Sequence, residues 1–223
     1  MISNKYFYPG VNALLFTLIF PAYWIWFATF GFNSSFVKAS SGASVATTST
    51  TFKTEVLANA SPSFGSALTF DYFVWVLLGF MTLYLYSSLK SALFHRHNYS
   101  SLNLLIHLAM GSTIFLYGGI AVLELSSVLT GSGITDSIAN LFAVIFFAGV
   151  LVQGLIDIVI GIVLFRDAHE LPNMLRIFGI ITLISGIFGI TLIFAVATAL
   201  TIPLSALVLG IYFLKEEQII DVI

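Results

Sequence analysis

Few side chains in this sequence could do chemistry: only 8% of its 223 residues are Asp, Glu, Lys or Arg, and cysteine is absent. The most informative are His107 and Asp157, with Gln153 four residues before the aspartate. Each lies inside a long apolar run, where an ionisable group is expensive and marks either function or a specific helix contact. Gln153 and Asp157 share a helix face by the i, i+4 rule. An imidazole beside a carboxylate can exchange one proton, which suits a proton or cation pathway, and the Gln153 amide would be the next relay or ligand. The same pair would also serve as a polar clamp that fixes the register of two helices.

The pair depends on two apolar stretches, residues 102–129 and 137–165, joined by a short link that contains Gly131 and Gly133. Such a link predicts an antiparallel hairpin. Counted outward from its midpoint, His107 and Asp157 lie level to within about one helical rise, about 1.5 Å, if both helices are straight. Glycines point the same way. Gly111 and Gly118 in the first stretch, and Gly154 and Gly161 in the second, are each seven residues apart and so nearly on one face. Small residues let membrane helices approach closely. The expectation is that these helices pack along the four glycines, with His107 facing Asp157. Gly179, Gly186 and Gly189 predict a further close-packing face, toward a neighbouring helix or another subunit.

Other chemistry is thinly represented. His95, His97 and His169, with Asp167 nearby, are weak candidates for a metal; the His-x-His spacing can be met by one, but nothing anchors the geometry. They are also the only foothold for a membrane enzyme acting on lipid or quinone. No nucleophile elbow, zinc-protease motif, phosphate loop or dinucleotide fingerprint is present, so neither a cofactor nor a metal is expected. The absence of cysteine excludes disulfides and thiolate ligands. A net charge of −2 argues against nucleic acid, which requires a basic face.

The elements that carry these residues follow from composition. The sequence is 59% hydrophobic, whereas a soluble domain usually carries about a quarter charged residues with which to cover its surface. Lipid removes the contradiction, because apolar side chains can face outward there. The fold class is therefore all-α, a polytopic transmembrane helical bundle forming a single domain. Stretches of roughly 20 mainly apolar residues occur at about 11–31, 68–90, 102–129, 137–165 and 174–197, and a shorter one at 200–214. Six spans are expected, or five if the last is re-entrant. Pro203 is expected in the first turn of the last span, where a missing N–H costs nothing. Residues 33–67, rich in Ser and Thr, read as a flexible outer loop.

Basic residues orient the bundle. With both termini cytoplasmic, Lys5, Lys90, Arg96, Arg166, Arg176 and Lys215 fall inside, and Lys38 and Lys53 fall in the outer loop. Trp24, Trp26 and Trp75 then fall at the outer interface, as indole rings prefer. These features predict a multi-pass protein of the cell membrane. Without a catalytic constellation, the leading expectation is a non-enzymatic structural or interaction subunit, associating with other membrane subunits or with itself. The alternative is a small channel or carrier for protons, cations or a small solute, using His107, Asp157 and Gln153.

Overall fold

A computed structural model describes residues 6–26, 49–130, 136–167, 169, 171–191 and 195–215. Among them are six helices long and apolar enough to cross a membrane, and no strand. Helix α1 is Phe7–Trp26 and α2 is Ser49–His97. The third span is broken into α3 (Asn103–Thr113), a π-helical turn (Ile114–Gly118) and α4 (Gly119–Thr130). Helix α5 is Asp136–Arg166, α6 is Asn173–Ile190 and α7 is Ala195–Lys215. Large apolar side chains are exposed along all six, such as Leu18, Phe80, Val122, Val144, Ile177 and Leu200. An outward-facing apolar surface of this extent is stable in lipid rather than in water.

Two sequence expectations need correction here. Helix α2 already begins at Ser49, so residues 49–67 are helical rather than a flexible loop. The Ser/Thr-rich composition obscures Lys53, Glu55, Leu57, Ala58 and Ala60, all good helix formers. Residues 33–48 of that stretch lie outside the described residues. Helix α7 starts five residues before the expected 200, which makes it 21 residues long and puts Pro203 inside the helix rather than in its first turn. The proline ring removes the N–H that the Ala199 carbonyl would otherwise receive; Thr17 of α1, whose hydroxyl stands 2.8 Å from the Ala13 carbonyl of its own helix and 3.2 Å from the Pro203 carbonyl, packs α1 against this turn.

Close approach is built from glycine, though not along the expected line. Gly111 faces outward, with nothing within 4 Å of where a Cβ would stand, and Gly118 meets only Ile114 of its own span. The cause is the π turn. One extra residue in a turn rotates the remainder of the span by about 100° relative to a continuous α-helix, so residues seven apart no longer share a face. Gly154 and Gly161 of α5 instead meet α6. A Cβ on Gly161 would lie 2.7 Å from the Gly179 carbonyl oxygen, and one on Gly186 would lie 2.6 Å from that of Gly154. These four glycines form one backbone-to-backbone seam. The third span does pack on α5, through other glycines: a Cβ on Gly149 would come within 2.8 Å of Leu116, and one on Gly119 within 3.0 Å of Ile145.

Among the described residues, buried side chains concentrate in the half of the bundle that holds the chain ends. Leu89, Leu93, Leu102, Ile106, Ile160, Leu164, Leu175, Tyr212 and Phe213 are all essentially inaccessible there. Helices α1 and α7 run antiparallel, with Tyr6 stacked on Phe213 and Gly210 receiving Ala13. Asn12 ties α1 to α2 by donating to the Met81 carbonyl at 3.1 Å. The opposite half is hollow.

The seam gives a direct test. Gly161→Ala should cost about 1–3 kcal/mol by overpacking, whereas Gly111→Ala, in open space, should be neutral or stabilise by up to about 1 kcal/mol through helix propensity. Thermal unfolding of both variants in detergent measures the difference, and equal midpoints would show that α5 and α6 do not meet along these glycines.

Candidate functional site

The hollow half encloses a cavity of about 300 Å³. Its chemistry comes from two helices. Helix α5 brings Gln153 and Asp157 on one face, and α2 brings Tyr86 across from them. The Gln153 amide nitrogen donates to the Tyr86 hydroxyl and to Asp157 Oδ1, both at 2.9 Å, and Tyr86 donates to the same Oδ1 at 3.3 Å. Each of the three is therefore bonded to the other two. Because a carboxylate accepts only, the network fixes the orientation of the Gln153 amide. Among the described residues its buried carbonyl oxygen has no donor, and the buried hydroxyl of Thr182, which lines the same cavity from α6, has no partner. Ser185, one turn from Thr182, accepts from Thr201 of α7 at 3.0 Å.

Aromatic rings line another part of the cavity. Trp75 stands with its centroid 5.7 Å from that of Tyr23 and 5.5 Å from that of Tyr117. Tyr117 belongs to the π turn, and Gly79 of α2 makes room for it: a Cβ there would stand 2.9 Å from the Tyr117 Cβ. In the π turn, consecutive residues serve two neighbours. Leu116 seats against Gly149 of α5, and Tyr117 seats against Gly79 of α2.

His107 is not part of this site. It is exposed in the second turn of α3, where Nδ1 donates to the Asn103 carbonyl at 2.7 Å and Nε2 accepts from the Lys90 ammonium at 2.9 Å. The expected His107–Asp157 contact is therefore not formed. The hairpin register behind it does occur, as Leu116–Gly149 and Gly119–Ile145 demonstrate. Equal depth does not fix the direction of a side chain, and α2 supplies the carboxylate's partner instead. Gln153 and Asp157 do come together as expected.

The histidine cluster is also not assembled. His95 Nδ1 pairs with the Ser91 carbonyl of its own helix, His97 Nε2 pairs with the Tyr212 hydroxyl at 2.9 Å, and His169 is exposed. Among the described residues no three metal-ligating side chains gather. The same end of the bundle is braced by a different set. The left-handed backbone of Asn98 ends α2 and turns Tyr99 inward, where its hydroxyl donates to Asp167. Asp167 also accepts from Arg166 at 2.7 Å, and Arg96 lies over the Tyr6 ring at 3.8 Å.

Sequence reasoning missed Tyr86, Thr182, Trp75 and Tyr117. A signal existed for the first two, as hydroxyls in the middle of apolar runs. The rings gave none, because aromatic residues are frequent throughout this chain. No family model, curated protein or solved structure matches the sequence.

The Tyr99–Asp167 brace predicts a pH profile. The hydrogen bond from Arg166, then that from Tyr99, holds the Asp167 carboxyl below its ordinary 3.8. This contribution is present above that value and is lost as pH falls through the lowered one. Burial, then the hydrogen bond to Asp167, pushes the Tyr99 phenol from 10.0 to about 12. Its contribution is present below 10.0 and is lost as pH rises toward about 12. Thermal unfolding across this range should fall at both ends. Asp167→Asn should flatten the acid limb and Tyr99→Phe the alkaline limb; limbs unchanged by either substitution would dissociate the brace from stability.

Proposed function

We propose that this protein is a small-solute carrier or channel of the cell membrane, with both termini cytoplasmic and with the Tyr86–Gln153–Asp157 cluster as its solute or ion site. The observation that carries this reading is the cavity that reaches Asp157. Concave, mostly apolar sites with a few convergent polar groups are the usual form of small-molecule sites, and 300 Å³ matches the lower end of their range of about 300–1,000 Å³. A clamp that only fixes helix register needs no cavity beside it. The cytoplasmic assignment rests on the distribution of Lys and Arg, six of which fall on the side of the termini against two, Lys38 and Lys53, on the opposite side. Trp24 and Trp75, both on the cavity wall, fall at the opposite end, consistent with an outer interface.

The interaction-subunit reading loses much of its support. Beside the missing catalytic constellation and the small extramembrane mass, that reading drew on glycine faces that could receive a partner, and Gly154, Gly161, Gly179 and Gly186 are used within the chain. Among the described glycines, Gly111 is the one with open space where a Cβ would stand.

The test is flux in proteoliposomes, for protons and for a panel of small charged and neutral solutes. At least one should cross faster than in protein-free vesicles, and Asp157→Asn should lower that flux about tenfold or more, since an intramembrane carboxylate on a transport path is rarely replaceable. The variant must keep the wild-type elution profile and unfolding midpoint. Equal flux from a folded variant would remove Asp157 from the path.

A further inference from the structure

We infer that the occupant of the cavity is a protonated organic amine with an aromatic or bulky apolar body. The inference rests on reading the cavity as a solute site, and it adds the chemical class of the solute.

Hydrogen-bond bookkeeping supplies the first argument. Both donors that reach Asp157 go to Oδ1, and among the described residues nothing donates to Oδ2. The Gln153 carbonyl oxygen is likewise unmatched, and its amide nitrogen is already committed to Tyr86 and Asp157. Thr182 is 5% exposed, and its hydroxyl also has no partner. The wall thus offers more acceptors than donors around one carboxylate. No Lys, Arg or His nitrogen pairs with that carboxylate among the described residues. A buried charge without a counter-charge is costly, and a ligand that brings a positive charge and N–H donors offsets that cost. An anion would meet no cation here. A neutral apolar solute would leave the acceptors and the charge as they are.

The aromatic wall supplies the second argument, independently. Trp75, flanked by Tyr23 and Tyr117 at 5.7 and 5.5 Å, presents ring surface to the same space. Ring faces stack against aromatic bodies, and Trp75, eleven residues from Tyr86 and so about 16 Å away along α2, lies on the side of the solute's apolar body rather than of its charge. A bare divalent cation does not fit this wall. It requires six or more oxygen ligands at about 2.0–2.6 Å, whereas the cavity measures about 300 Å³ and is lined largely by carbon. Among the described residues the wall carries one carboxylate, which matches one positive charge. The solute class is therefore a monoamine rather than a polyamine.

Isothermal titration calorimetry on the full chain in lipid nanodiscs tests this with three probes of one shape: 2-phenylethylammonium, neutral 2-phenylethanol and anionic phenylacetate. The ammonium should bind about tenfold or more tighter than the alcohol, and phenylacetate should not bind. Asp157→Asn should weaken ammonium binding about thirtyfold or more, the usual effect of removing one partner of a buried charge pair, and leave the alcohol within about twofold. Trp75→Leu should weaken the ammonium and the alcohol alike, by about two- to tenfold, and Trp75→Phe by less. Wild-type selectivity alone decides the charge, so the inference stays testable if the Asn variant does not fold. Ammonium and alcohol binding equally, or phenylacetate binding best, overturns the inference. If that happens while Asp157-dependent flux of another solute persists, the transport reading stands and only the amine assignment falls. No binding by any probe, with no Asp157-dependent flux, removes both.

Discussion

The contact on which the rest of this structure depends is the glycine seam between the fourth and fifth spanning helices. At Gly161 and Gly186 the opposing carbonyl oxygens stand 2.7 and 2.6 Å from where a methyl group would be, so no residue with a side chain fits there without movement of backbone. In a membrane no hydrophobic force drives helices together, and close van der Waals packing must do it. The seam makes α5 and α6 one unit with a fixed rotation. That rotation decides what the unit presents sideways: Gln153 and Asp157, next to the seam on α5, and Thr182 and Ser185 on α6, all line one cavity. The polar site is thus a consequence of the same packing that holds the helices together.

The bundle divides its two halves between stability and space. The half with the chain ends is filled by Leu, Ile and aromatic side chains and is tied by Tyr99–Asp167, His97–Tyr212 and the Arg96 stack on Tyr6. The other half places rings and hydroxyls around a hollow. Interiors normally pack as densely as organic crystals, and an unfilled volume forfeits dispersion contacts.

Much of the fold was legible because lipid imposes a simple rule: uninterrupted apolar runs of sufficient length become helices. The existence of the spans, the hairpin between the third and fourth, and the shared face of Gln153 and Asp157 all come from counting. Rotation about a helix axis does not. The assignment of Gly111, Gly118 and His107 assumed a straight third span, and one inserted residue at Ile114–Gly118 turned them to other surfaces. Nothing local marks that turn, since it contains no proline. Its explanation is tertiary: Leu116 and Tyr117, consecutive in sequence, each need a glycine on a different neighbour. The seven-residue spacing of Gly154 and Gly161 marks a packing face, but its expected partner, the third span, is wrong: the face meets α6. Gly179 and Gly186 carry the same spacing, and the match between two equal spacings was the better clue.

The exposed position of His107 also bears on what Asp157 can be. A carboxylate paired with an imidazole would have its charge answered within the protein, and a structural role would be complete. With Tyr86 and Gln153 as partners, Asp157 has two neutral donors on one oxygen and, among the described residues, none on the other. Neutral hydrogen bonds orient a carboxylate without cancelling its charge. Tyr86 and Gln153 thus hold the group in place toward a cavity whose remaining polar atoms are largely acceptors, and this imbalance, more than the presence of a charge in the bundle, separates a binding group from a clamp. A clamp reaches its lowest energy when every donor and acceptor is matched among the helices it joins. Here Gln153 and Thr182 each keep a buried oxygen unmatched on the wall shared with Asp157, so the cluster's residual polarity is directed at the space between the helices rather than at the helices themselves.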